Sequence, residues 1–420
     1  MFQSLLNAWK LPDLRKKLLF TALIIALYRL GCYLPVPGVD VSAISGTTGT
    51  GGVLDFYDLF TGGALRQMAL FAMGIMPYIT ASIIMQLLTM VSPKLEALMK
   101  EGPAGQKKVN QYTRYFTAIL AVIEAIGFVF LFRNQGAFPA DAAGNSTFTP
   151  INVWLVVLSL TVGAILVMWL GELVTQRGIG NGISLMIYAS IISRLPDGLW
   201  KLLHMNPGYW VAMAVISVLV IAAIIFVTQG QRRIPVQYAK RVVGRKVYGG
   251  QSTYLPLRVN MAGVIPVIFA SSVLLFPVTL AEMVPWGWTQ WLADHLGPSS
   301  WWYLAAEVIL IVAFTYFYTA VQFNPLDQAD NLKKYGGFVP GIRPGRPTAA
   351  YLDRVLTRIT LPGALFLAAI VLLPTALIKG MGIAFYFGGT SLLIVVGVAL
   401  DTMQQMESQL LMRHYEGFLK

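Results

Sequence analysis

The chain reads as an all-α, polytopic membrane protein with ten transmembrane helices, and three features carry that expectation. Its 420 residues are 56% hydrophobic and only 12% charged, with a mean hydropathy of +0.65. A soluble core of this size has no room for so much apolar surface, so the solvent must be lipid. Ten apolar runs follow one another, each near the roughly 20 residues that a helix needs to cross a hydrocarbon core about 30 Å thick. The basic residues, finally, are spread unevenly over the connections.

The runs fall at 18–34, 68–91, 115–132, 153–170, 183–203, 210–227, 264–280, 303–321, 361–377 and 383–400. In lipid, backbone polar groups must be satisfied within the segment, so each run is expected to be a helix. Lys10, Arg15, Lys16 and Lys17 precede the first run, and Arg29, Pro35 and Pro37 come next with no small-residue cleavage site. This reads as an uncleaved span and not a signal peptide. The N-terminus, the connections 92–114, 171–182, 228–258 and 324–360, and the C-terminal tail hold 25 of the 31 Lys and Arg residues. The opposite connections hold Arg66, Arg133, Arg194, Lys201 and Lys379. Basic loops stay in the cytoplasm, which places both termini there. Arg29, inside the first run, is expected to snorkel or to pair near the outer surface.

Several runs are poorly built for crossing lipid. Gly74 and Pro77 interrupt the second, Pro266 and Pro277 the seventh, and Pro374 the ninth; the fifth is continuous only over 183–192 before Ser193, Arg194 and Pro196. Broken or short helices are tolerated where they face protein or a water-filled cavity, so they point to a conduit between helices. Residues 53–79 are apolar for twice the length of one helix but are split by Gly62 and Gly63. One piece spans. The other, with Leu54, Phe56, Leu59 and Phe60, reads as a short amphipathic helix that either folds back into a cavity or lies flat on the outer leaflet.

Two polar connections stand out. Residues 231–258 carry seven Lys or Arg and no acid, with apolar and polar residues alternating around Gly244, the pattern of a basic β-hairpin. Such charge suits the phosphates of structured RNA or an acidic protein surface; it equally suits a loop that enforces topology beside anionic lipid. Residues 323–354 mix four prolines with four glycines and are expected to form a fixed irregular loop. Arg343 sits there among turn residues, presented either to a carboxylate or to solvent.

Catalytic chemistry finds no support. No phosphate-binding loop, nucleophile elbow or zinc-protease helix motif occurs. Cys32 stands alone, and His204, His295 and His414 have no metal-ligand spacing. No cofactor, metal or catalytic residue is therefore expected, and energy must come from a partner. Glu124, midway along the third run, is an acid in the membrane with no role assigned.

The strings GIMPYITASIIMQLL (74–88), WLGELVTQRGIGNGIS (169–184), QRRIPVQYAKR (231–241), NMAGVIPVIFASS (260–272), NPLDQADNLKKYGGFVPGIRPG (324–345) and YFGGTSLLIVV (386–396) resemble the SecY family, the channel subunits of bacterial Sec translocases. The resemblance runs from about Asp13 to the tail. It implies two pseudo-symmetric halves of five helices around an hourglass pore. Residues 1–17 would be a cytoplasmic N-terminal segment and 18–205 the first half, with a plug at about 54–66. Residues 206–405 would be the second half, with cytoplasmic loops 228–258 and 324–356, and 406–420 a cytoplasmic tail.

By the same resemblance Ile75, Ile79, Ile187, Ile191, Ile268 and Ile394 form the pore ring. Branched apolar side chains dewet a constriction and still yield around an extended chain. Leu54, Phe56, Leu59 and Phe60 belong to the plug, and Thr80, Gln86 and Asn260 to a lateral gate. Arg343, Arg245, Lys240, Arg232 and Arg233 dock the ribosome and the SecA motor ATPase. SecE, SecG, signal peptides, preproteins and membrane lipids complete the implied partners, and DNA is not among them. The implied activity is passage of unfolded preproteins across the bacterial cytoplasmic membrane, with release of membrane segments sideways. The rival is a secondary transporter of a small solute, which would place polar ligand groups at the midplane.

Overall fold

In the computed structural model, helix accounts for most of the described residues, which are 9, 11–41, 53–134, 136–138, 148–196, 198, 200, 204, 207–238, 241–243, 246–248, 252–283, 287, 291, 295, 297, 300–381 and 389–418. The first part of the chain folds as α1 (Pro12–Gly31), α2 (Val53–Thr61), α3 (Met76–Val91), α4 (Pro93–Lys100), α5 (Pro103–Asn134), α6 (Pro150–Arg177) and α7 (Gly182–Ser193). The rest folds as α8 (Pro207–Gln229), β1 (Gln231–Tyr238), β2 (Arg241–Val243), β3 (Lys246–Tyr248), β4 (Ser252–Arg258), α9 (Ile265–Met283), α10 (Trp301–Gln322), α11 (Pro325–Lys334), β5 (Gly337–Phe338), α12 (Arg346–Met381) and α13 (Gly389–Phe418). Many helices begin at a proline, as α1, α4, α6 and α11 do. Its missing N–H costs nothing at the first turn, and its fixed φ suits the helix.

Two compact units emerge. One comprises Met1–Asn206, Ser271–Leu304 and Val398–Lys420, and the other Pro207–Ala270 and Ala305–Gly397. Among the described residues, Pro103–Arg133, Pro150–Arg177, Val211–Gln229, Trp301–Lys334 and Arg346–Leu377 are long and apolar enough to cross a membrane. The pair α3 and α4, bent by 97°, makes a sixth if taken as one broken span. The short apolar helices Gly182–Ser193 and Ile265–Val278 coincide with runs that the sequence marks as weak.

The second run departs from expectation. Its helix starts at Met76, and residues 62–75 are a succession of turns. Gly62, Gly63 and Gly74 adopt φ of +67°, +91° and +54°, which glycine permits at no steric cost. Buried irregular backbone needs partners outside itself. It finds them in the strand-like stretch after α1: Val36 N–H donates to the Met68 carbonyl at 2.8 Å, and Leu70 N–H to the Leu34 carbonyl at 2.7 Å.

In the second unit β1 and β4 pair antiparallel from Gln231 opposite Arg258 to Gln237 opposite Ser252, the hairpin expected from the sequence. Residues 323–354 depart in part, since 325–334 form α11. Asn324 caps that helix by accepting from Leu326 N–H at 3.0 Å, and Pro325 opens it. The irregular stretch runs only from 335 to 345, since α12 already begins at Arg346. Its β5 adds to the free edge of β1, Gln237 pairing with Phe338, so both basic connections join one three-stranded sheet of order β4-β1-β5.

Candidate functional site

Four of the expected ring isoleucines belong to the first unit, where the backbone explains their placement. Ile75 stands at the N-cap of α3 and Ile79 one turn on; Ile187 and Ile191 are likewise a turn apart on α7, hence on one face. All four are buried. The shortness of α7 is enforced at its start. Asn181 accepts from Ile183 and Ser184 N–H at 3.0 and 3.4 Å, while Gly182 N–H donates to Thr175 Oγ1 at 2.9 Å. Ile268 on α9 and Ile394 on α13 belong to the second unit and are also buried.

The amphipathic segment folds as α2 and packs against α7, the helix that carries Ile187 and Ile191. Phe60 is fully covered and Leu59 half-buried, whereas the side chains of Leu54 and Phe56 lie outside the described residues. The inward-folding alternative thus describes α2. At its end Gly62 approaches α7 so closely that a Cβ would stand 2.9 Å from the Cα of Ser190. Arg29, expected near the outer surface, donates to the Gly62 carbonyl at 3.0 Å. Asp58 on α2 is completely buried between Arg66 and Arg194. Sequence reading missed this carboxylate; its signal was a second acid after Asp55 in a largely apolar segment, followed by an arginine eight residues later.

The expected gate residues fall in separate units. Thr80 and Gln86 lie on α3, and Asn260 precedes α9. Asn260 Nδ2 donates to the Gly263 carbonyl at 3.0 Å, closing the turn into α9, while its buried Oδ1 has no hydrogen-bond partner. Gln86 Oε1 is equally without one. Glu124 joins Thr80 around a small cavity in the first unit, lined also by Tyr57, Met76, Phe128 and Ser272. Its Oε2 is buried with no hydrogen-bond partner. Glu307, which the sequence reading passed over, is buried as well.

Three of the residues expected to dock partners lie on the three-stranded sheet or on the connection that follows β5. Arg232 and Arg233 are exposed on β1, whose Ile234 and Val236 turn inward. Ile234 packs with Leu257, Phe323, Val339, Leu352, Val355 and Leu356, an apolar core that fastens the hairpin to the second connection. Arg343 is exposed between Gly341 and Gly345, whose φ of +79° and +98° place it on a turned backbone. Thr348 Oγ1 fixes that turn by donating to the Arg343 carbonyl at 2.8 Å. Lys240 and Arg245 lie outside the described residues. Among the described residues no cluster of His, Cys, Asp and Glu could hold a metal ion.

Comparison with known proteins agrees with this architecture. The SecY family model matches residues 69–403. Protein translocase subunits SecY of Streptomyces griseus and Streptomyces galbus are 50% and 49% identical to the chain over 440 aligned positions, covering 100% of both partners. A solved SecY protein, whose plug domain stabilises the closed state of its translocation channel, superposes with a TM-score of 0.65 at 22% identity, covering 94% of this chain and 92% of that one. Canine Sec61, from a ribosome–channel complex of the endoplasmic reticulum, superposes at 0.62 and 20% identity with the same coverage. The structural likenesses speak for the fold, and identity near one half along the full length of both bacterial relatives settles the lineage: the chain belongs to the SecY family.

Proposed function

We propose that the chain is a protein-conducting channel of the cytoplasmic membrane of a bacterium, both termini in the cytoplasm, which passes unfolded preproteins across the bilayer and releases apolar segments sideways into it. The observation that carries this reading is α2 seated on α7, the short helix bearing Ile187 and Ile191. A closing element beside branched apolar side chains is what a resting conduit needs and what a small-solute carrier has no use for. Ile75, Ile79, Ile187, Ile191, Ile268 and Ile394 are its seal, and Leu54, Phe56, Leu59 and Phe60 belong to its plug. Thr80, Gln86 and Asn260 belong to the lateral gate.

The chain itself performs no chemistry and is driven by a partner. Arg232 and Arg233 stand exposed on β1 and Arg343 on the turn that follows β5; together with Lys240 and Arg245 they take the SecA motor or the ribosome. SecE and SecG complete the complex. Reconstituted in vesicles with SecE and SecA, the protein moves a preprotein inward on addition of ATP. Arg343→Glu replaces an attractive contact by a repulsive one and lowers the rate about tenfold or more, with membrane insertion of the chain unchanged. Uptake of amino acids or sugars with no motor present, or full activity of the Arg343→Glu protein, would sink the reading.

A further inference from the structure

Asp58 is an acid where the plug has no evident need of one. A carboxylate removed from water is costly unless it is paired and hydrogen-bonded. Two guanidinium groups meet it: Arg66 Nε at 3.0 Å and Arg194 Nη1 at 2.8 Å. Its Oδ1 also accepts from Arg66 N–H at 3.3 Å and from Thr61 Oγ1 at 3.4 Å. The two arginines differ in kind. Arg66 is local, on the turns that follow α2. Arg194 is remote in sequence and caps the C-terminal end of α7. Beside the carboxylate, the Gly62 carbonyl accepts from Arg29 Nη1 at 3.0 Å and from Ser193 Oγ at 3.5 Å. The end of α2 is thus tied to α1 and α7 by polar contacts, and the strongest of them crosses from Asp58 to Arg194.

We infer that Arg194 is a positioning residue that holds the plug seated, and that its ion pair with Asp58 sets how strong a signal a polypeptide must carry to open the conduit. The inference rests on the conducting reading above. Opening requires α2 to leave α7, which strips a buried carboxylate of its remote cation. Only an entering segment that compensates with its own contacts does so, and the pair therefore acts as a threshold. Arg66 travels with α2 and keeps Asp58 charged and paired after release, so that the catch can close again.

The test uses the complete complex in planar bilayers and vesicles. Arg194→Gln raises resting ion conductance several-fold and admits preproteins with defective signal sequences, while intact preproteins still pass. Arg194→Lys, which restores the charge, returns both readouts toward those of the unaltered protein. A variant combining Asp58→Asn with Arg194→Gln removes both members of the remote pair and leaves the partly exposed Arg66 to solvent; for a coupled pair it behaves no worse than Arg194→Gln alone. Hydrogen–deuterium exchange of the α2 amides reads the seating directly, without transport, and accelerates in Arg194→Gln. Unchanged exchange, conductance and signal stringency in Arg194→Gln overturn the inference. Accelerated exchange in a complex that moves no preprotein at all leaves the catch standing and overturns the conducting reading instead.

Discussion

Glu124 shows what a single residue contributes when the surrounding packing leaves it unsatisfied. Its side chain lies on α5 beside a small cavity, and Oε2 has no hydrogen-bond partner. An orphaned buried polar group carries its desolvation penalty uncompensated, about 1–3 kcal/mol. Leucine has a similar volume and no polar atom, so Glu124→Leu stabilises the first unit by that order and raises the thermal midpoint of the purified protein by a few degrees. A lower midpoint, followed by intrinsic fluorescence in detergent, would show that the carboxyl group has a partner which holds the unit together. Asp58 is the contrasting case, since it is buried as deeply and paired twice. Sequence alone distinguishes neither fate: an acid in an apolar run announces a function or a partner, but one of the two partners of Asp58, Arg194, lies at the end of a helix remote in sequence. Arg343 was more legible, because the glycines and prolines around it dictate a turned backbone that exposes whatever side chain it carries.

At the scale of elements, the three-stranded sheet that carries the proposed docking arginines Arg232 and Arg233 stands on an apolar core. Leu352 on α12 is fully buried against Ile234 and Leu257 of the hairpin and Phe323 at the end of α10. Leu352→Ala removes those contacts and leaves a cavity, a loss of about 2–5 kcal/mol. The expected outcome is a hairpin cut sooner by trypsin at Arg232 and Arg233, with translocation weakened although no docking residue has changed. Unchanged cleavage would mean that β1 and β4 hold without α12. The hairpin was legible because alternation of apolar and polar residues has only one reading on a half-buried strand. The docking of β5 onto β1 was not, since a two-residue strand has no periodicity. Nor was α11, since the prolines and glycines of 323–354 read as loop; Pro325 lies at the helix start, where proline does no harm, and the other prolines and the glycines come after Lys334. The second apolar run failed for a related reason. Composition reports lipid or protein as the solvent, while the glycines, and the hydrogen bonds of Met68 and Leu70 to Val36 and Leu34, decide that 62–75 are turns.

For the molecule as a whole, the apolar runs and the basic asymmetry announced a membrane protein, and the broken runs announced where the membrane is not the only neighbour. The shortest of them, α7, is the helix against which α2 sits. A conduit built of such helices and opening toward lipid makes the bilayer the judge of what leaves it. A central Leu, Ile, Phe or Val gains roughly 0.3–0.6 kcal/mol in the hydrocarbon, and a central Lys or Asp loses about 2.5–3.5. For a preprotein carrying a test segment of about 20 residues, each added central leucine therefore raises the ratio of membrane-integrated to translocated product about two- to threefold. One central lysine cancels at least about four such leucines. Protease protection of the two products measures the ratio directly, and its logarithm should rise linearly with the number of leucines. A step at one fixed sequence, or a ratio indifferent to leucine count, would show that recognition by the protein and not partition into lipid decides the exit.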